Sequence, residues 1–322
     1  MFSLLARKPW YLLLLPAAVL LAVFGLRNGT ATQGAESREM AAAMVVPGKF
    51  SDEAAKANSD AAAPESGSER GTAIGPGLPL DLRAAFESGH DLFGFARQLR
   101  SAAAAGDAEA GWIVSRIYDY CGVYAMDPQA YALDSSTLAS MGLEAVPGLI
   151  AARERVGRSC AGFSAADGLG SALMLQQRRT SADAGNLAAE ASLLAMGKPL
   201  REDAAYRRGL VERVLNSQDP EAFQAISGAM GVAAAGDDAY RGFVAGDQFA
   251  QLAWQVAACR LGMACGPQSS LMTGYCANGG ICSRDPDQDF ESFVYDAAVS
   301  RQGTERMNQL VDSLRRPQGG TR

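Results

Sequence analysis

The residues best placed to do chemistry lie near the C-terminus. Asp285, Asp287, Asp289 and Glu291 alternate with Pro286, Gln288 and Phe290. Counted from Asp285, these acids occupy positions 1, 3, 5 and 7 of a calcium loop, and Asp296 occupies position 12. That loop turns sharply at a glycine, where this chain has Phe290, and it closes on a glutamate with more reach than Asp296. The same residues also open a helix. Asp285 can act as N-cap, Pro286 fits the first helical position, and acids in the first turn face the positive end of the helix dipole. The helix start accounts for every residue in the run. It predicts one long helix from about residue 286 to residue 314.

Other chemical groups are sparse. His90, in Ser88-Gly89-His90-Asp91, is the sole histidine. A Ser-His-Asp hydrolase would also need a G-x-S-x-G nucleophile elbow, and none occurs. Glu291-Ser292 resembles the Glu-Ser pair of lytic transglycosylases. A glycosidase acid also needs a cleft and a raised pKa, and no further motif of that family follows. Gly168-Leu169-Gly170 is too short to cradle a phosphate, and no G-x-x-x-x-G-K-[ST] is present. No catalytic residue, cofactor site or metal site is therefore expected. A carboxylate-dependent hydrolase acting on peptidoglycan stands as the alternative.

The six cysteines carry more information. Cys121 and Cys160 lie in the first half, and Cys259, Cys265, Cys276 and Cys282 sit together in the second. Zinc sites draw their ligands from C-x2-C pairs with histidine common among them, and this pattern is absent. An even count in an exported chain points to disulfides. Six cysteines allow 15 pairings, among which sequence alone does not choose. Proximity favours Cys121 with Cys160, Cys259 with Cys265, and Cys276 with Cys282.

Export is read from the N-terminus. Arg7 and Lys8 precede an uncharged apolar run over residues 10–26. A basic segment before such a run predicts a cytoplasmic N-terminus (1–9), a signal anchor (10–26) and an external remainder. The expected location is the inner membrane, spanned once, with the C-terminal domain in the periplasm. Cleavage near Ala31, giving a secreted form, is the alternative. Residues 27–80 are rich in Ala, Gly, Ser, Glu and Pro, with Phe50 the sole aromatic. They cannot bury enough apolar surface to offset the entropy of ordering and read as a disordered linker. Residues 81–316 form the expected folded domain, and 317–322 a disordered tail.

Composition sets the class of that domain. Alanine is abundant and β-branched residues are few, which favours helix. No segment alternates apolar and polar residues as a strand would. The net charge of -6 argues against nucleic acid as a partner, because phosphate binding needs a basic surface. Arg153/Arg155/Arg158, Arg178/Arg179 and Arg207/Arg208 read as exposed helix faces. Trp112, Tyr118, Tyr120, Tyr124 and Tyr131 make an aromatic-rich stretch, read mainly as core. Within it Trp112, Tyr120 and Tyr124 are candidates for contact with a protein partner.

One local signal recurs at Ala105-Gly106-Asp107, Ala184-Gly185-Asn186, Ala235-Gly236-Asp237 and Ala245-Gly246-Asp247. Glycine closes one helix, and Asp or Asn caps the next. Residues 99–118 carry small residues before Gly106-Asp107, Ala110 after it, and Tyr118 at the end of the second helix. This stretch resembles the core of a Sel1-like repeat, and residues 181–189 resemble it more loosely. The resemblance implies stacked α-hairpins that bind proteins and perform no catalysis. The Gly-x-Gly that closes the family's repeat is replaced by Asp119-Tyr120-Cys121, and the corners keep no fixed period. The expected fold is thus all-α: an irregular, disulfide-bonded array of α-hairpins of the TPR/Sel1-like kind, preceded by a transmembrane helix and a tether.

Overall fold

A computed structural model of the chain describes residues 81–142 and 146–316. The signal anchor, the linker, the cleavage site and the C-terminal tail all lie outside the described residues. Within them the chain is helical, with no strand. We number the α-helices in order: α1 Leu82–Glu87, α2 Leu92–Ala104, α3 Ala108–Met126, α4 Pro128–Ser140, α5 Val146–Ser159, α6 Ser171–Asp183 and α7 Leu187–Ala195. There follow α8 Ala204–Ser217, α9 Pro220–Met230, α10 Gln248–Arg260, α11 Ser270–Ala277, α12 Phe290–Ala298 and α13 Thr304–Arg315. No described helix is long and apolar enough to cross a membrane.

The corners form as their chemistry dictates. Gly106 and Gly185 sit at φ +94° and +99°, where a side chain would be strained. Asp107 and Asn186 then accept from the backbone N–H groups of Ala110 and Ala189, opening α3 and α7. Asp247 caps α10 in the same way. At Gly236-Asp237 the cap opens a 3-10 turn, Asp238–Tyr240, instead of an α-helix.

Helices pack in a chain of neighbours: α2 on α3, α3 on α6, α6 on α7, α7 on α9, α9 on α10 and α10 on α13. The apolar stripes face inward along this series. In α2, Leu92, Phe95, Ala96, Leu99 and Ala103 are buried, and in α3 Ile113, Val114, Ile117 and Cys121 are fully buried. Phe223 of α9 meets Trp254 of α10 at 4.9 Å between ring centroids, both without exposure. Helix α3 is the hub, touching α1, α2, α4, α5 and α6. Each large side chain that such a helix buries contributes about 1.5–3 kcal/mol through removal from water.

Three disulfides join Cys121 to Cys160, Cys259 to Cys265 and Cys276 to Cys282. The first fastens the hub helix to the residue following α5. The other two each close a short loop after a helix.

The C-terminal helix departs from the sequence reading. Residues 285–288 form a turn in which Asp285 accepts from the backbone N–H groups of Asp287 and Gln288. The N-cap is Asp289, whose carboxylate accepts from the Ser292 N–H. The start shifts because the Phe290 N–H donates to the Cys265 carbonyl, which sets Phe290, Phe293 and Val294 into the core. The helix then breaks at residues 299–303, where Ser300 caps a 3-10 turn, before α13 begins.

Candidate functional site

Helix α3 positions the site. Trp112, Arg116, Asp119 and Tyr120 fall at i, i+4, i+7 and i+8, a spacing that places them on one face. That face forms one wall of a groove of about 410 Å³, completed by Phe86, Arg178 of α6, Gln224 and Glu221 of α9, and Ser270 and Tyr275 of α11. Two of the three sequence candidates for partner contact, Trp112 and Tyr120, therefore meet here. Trp112 is only 4% exposed and belongs to the wall.

Two arginines organise the charge. Arg116 donates to Glu221 at 2.6 Å and to Ser270 at 2.8 Å, reaches Glu87 at 3.4 Å, and lies over the Phe86 ring. Glu87 accepts from both the N–H and the hydroxyl of Ser270. One guanidinium thus holds two carboxylates in a largely desolvated setting. Arg178 donates to Asp119 at 2.7 Å and to the Met196 sulfur at 3.1 Å. Its Nε, the Trp112 Nε1 and the Gln224 Oε1 find no partner among the described residues, although buried polar atoms are nearly always paired. Tyr120, also within reach of Thr273 and Arg155, has its phenol pushed up to about 12 by burial.

A second cavity of about 530 Å³ shares Phe86, Tyr120 and Ser270 with the groove and takes in His90, Arg155 and Arg158. His90 is an exposed residue of this rim.

Tyr124, the third candidate, points elsewhere. It packs edge-on against Tyr131 of α4, with ring centroids 5.5 Å apart. Helix α4 touches only α3 and α5 closely, and Tyr131 is its one buried residue. Arg153 lies beneath it, 3.7 Å from the Tyr131 ring and hydrogen-bonded to the Tyr131 carbonyl and Ser135. Large apolar side chains stand open on the outward side among polar ones. Val123, Met126, Leu133 and Met141 are 44%, 64%, 67% and 54% exposed, four of the seven exposed large apolar side chains among the described residues. Residues 123–141 therefore form an arm carrying large apolar side chains that no other described residue covers.

The remaining sequence candidates disperse. Asp285 and Asp289 are occupied as turn and helix caps, and Asp296 accepts from Gln288. Glu291 is held by Arg260 at 2.6 Å. No group of three metal-ligating residues occurs among the described residues. The arginine clusters need correction: Arg178 is buried at 6% exposure, and Arg153 and Arg155 are half-buried. Arg178 reaches Asp119, Arg153 bonds Tyr131 and Ser135, and Arg155 bonds Thr273. Sequence reasoning missed Glu87, Arg116, Glu221 and Ser270, which are too widely separated in the chain to form a motif. No family model matches the chain, and no curated protein or solved structure matches it.

Proposed function

We propose that this chain is a membrane-tethered envelope protein whose helical domain docks a protein partner and performs no catalysis. The exposed apolar surface on residues 123–141 carries this reading. Val123 and Met126 at the end of α3 and Leu133 and Met141 on α4 stand open within one short stretch of chain, and exposed apolar side chains concentrated in one region favour an interaction surface. The Sel1-like resemblance of residues 99–118 supports it, because α-hairpin arrays of that kind bind proteins. The N-terminal signal supplies the tether, a single inner-membrane span with the domain in the periplasm, or a periplasmic form after cleavage near Ala31.

Cross-linking in intact cells followed by purification of the full chain tests the proposal. The native chain is expected to recover a discrete cross-linked protein, and Leu133→Asp to lose it while folding normally. Recovery of the same species from both chains, or of none from either, counts against the arm. A reporter fused to the C-terminus and found in the cytosol would remove the placement.

A second reading, the peptidoglycan hydrolase, draws on Asp119 and Glu221 lining one groove. Glu221 is bound to Arg116, an arrangement suited to balancing charge and poorly suited to delivering a proton. Clearing of a peptidoglycan gel by the purified chain, abolished in Glu221→Gln, would put catalysis first.

A further inference from the structure

We infer that the arm receives an amphipathic helix whose apolar face is bordered by lysine or arginine. This rests on reading residues 123–141 as a docking surface and adds the chemistry of the occupant.

The shape comes from α4. Ala130, Leu133, Thr137 and Met141 follow at i, i+3, i+7 and i+11, so they form one stripe along the helix. The stripe runs for about three turns, roughly 16 Å. The smaller Ala130 and Thr137 lie on either side of the exposed Leu133 along the helix. Small and large side chains alternating in this way suit the packing of a second helix. An extended segment would need a strand edge to pair with, and α4 satisfies its own backbone.

The charge comes from the surrounding chain. No Lys, Arg or His occurs between Arg116 and Arg153, while Asp127 and Asp134 fall on the arm and Asp119 is paired with Arg178 in the groove. Asp127 and Asp134 are exposed and lie two turns apart along one edge of the stripe. Arg153, held against the helix by the Tyr131 ring and carbonyl and by Ser135, sets one positive charge against these two carboxylates and leaves the edge net acidic. An apolar ridge edged with carboxylates attracts an apolar face edged with cations, and it repels an anionic lipid surface.

The experiment titrates the full chain, in detergent, with a fluorescent helical Leu/Lys peptide and with a Leu/Glu peptide of the same apolar face. The Leu/Lys peptide should bind at least about tenfold more tightly, a difference of about 1.4 kcal/mol. Its affinity should fall about fivefold in Asp127→Asn/Asp134→Asn, since each exposed charge contributes modestly and Asn keeps the helix cap. Leu133→Asp should reduce it more than tenfold with an unchanged melting temperature. Equal binding of both peptides, or no response to the Asn pair, overturns the assigned charge while the docking surface stands. Indifference of both peptides to Leu133→Asp overturns the inference entirely. Leu133-dependent binding to phosphatidylglycerol vesicles would replace the basic helix by a membrane.

Discussion

The groove wall and the α4 arm grow from the same helix and are built in opposite ways. Along its middle, α3 pairs charge: Arg116 spans the largely buried Glu87 and Glu221 carboxylates, and the buried Arg178 reaches the exposed Asp119. At its C-terminal end α3 exposes grease, with Val123 and Met126 open and α4 adding Leu133 and Met141. Each arrangement costs free energy in isolation. A buried ion pair is retained at the cost of desolvation, and an exposed leucine forgoes burial. In the groove the cost is met inside the chain, because every charge named has its opposite within hydrogen-bonding reach. On the arm no described residue covers the exposed side chains. On the proposed reading, that difference makes the arm the docking surface and the groove its fixed frame.

The largest effect that should separate the two regions is on stability. Arg116→Ala leaves Glu221, 5% exposed, without its counter-charge. Thermal or urea unfolding should show a loss of about 3–5 kcal/mol. A loss under 1 kcal/mol would mean that the groove is no frame. Removal of the Cys121–Cys160 bridge, which closes a loop of sequence separation 39, should cost about 4 kcal/mol, and removal of either bridge of separation 6 about 2 kcal/mol. Because the long bridge ties α3 to the end of α5, its loss should also raise hydrogen exchange in α4 and α5 above that in α9 and α10. Uniform exchange would dissolve the distinction between arm and frame.

Smaller effects sharpen the contrast. Leu133→Asp should change stability by under about 0.5 kcal/mol, as an exposed substitution does, yet remove docking. Alkaline pH should act on the groove. The Tyr120 phenol is held up to about 12 by burial, whereas the unfolded phenol ionises near 10. Stability should therefore be intact below pH 10 and decline as pH rises through 10 to 12, where the unfolded chain gives up its proton first. Unfolding measured across that window should have a shallower decline in Tyr120→Phe. An identical slope would mean that other phenols dominate, Tyr275 among them, since its pKa is also raised by burial.

Much of the fold was legible because its signals are local. A glycine followed by Asp or Asn states a helix corner within three residues, and Asp107, Asn186 and Asp247 perform the caps so read. The cysteine pairs favoured by proximity are those that form. The end of the chain was misread because Asp285 and Asp289 offer equally good caps locally. The choice between them is made by a backbone bond from Phe290 to Cys265, which no spacing announces. The site was legible in part. Helical spacing relates Trp112 to Tyr120, but Glu87, Arg178, Glu221 and Ser270 converge only through packing. The arm was hidden for a further reason. Leu133 and Met141 look like core residues in sequence, and only the lack of any described element packed over them identifies them as exposed.

The most direct test installs a photoreactive amino acid at single positions of the full chain in living cells, at Leu133 and Met141 on the arm and at Asn278 beside the groove. A discrete protein adduct is expected from Leu133 and Met141 and none from Asn278. Adducts from Asn278 alone would move the docking surface to the groove and contradict it.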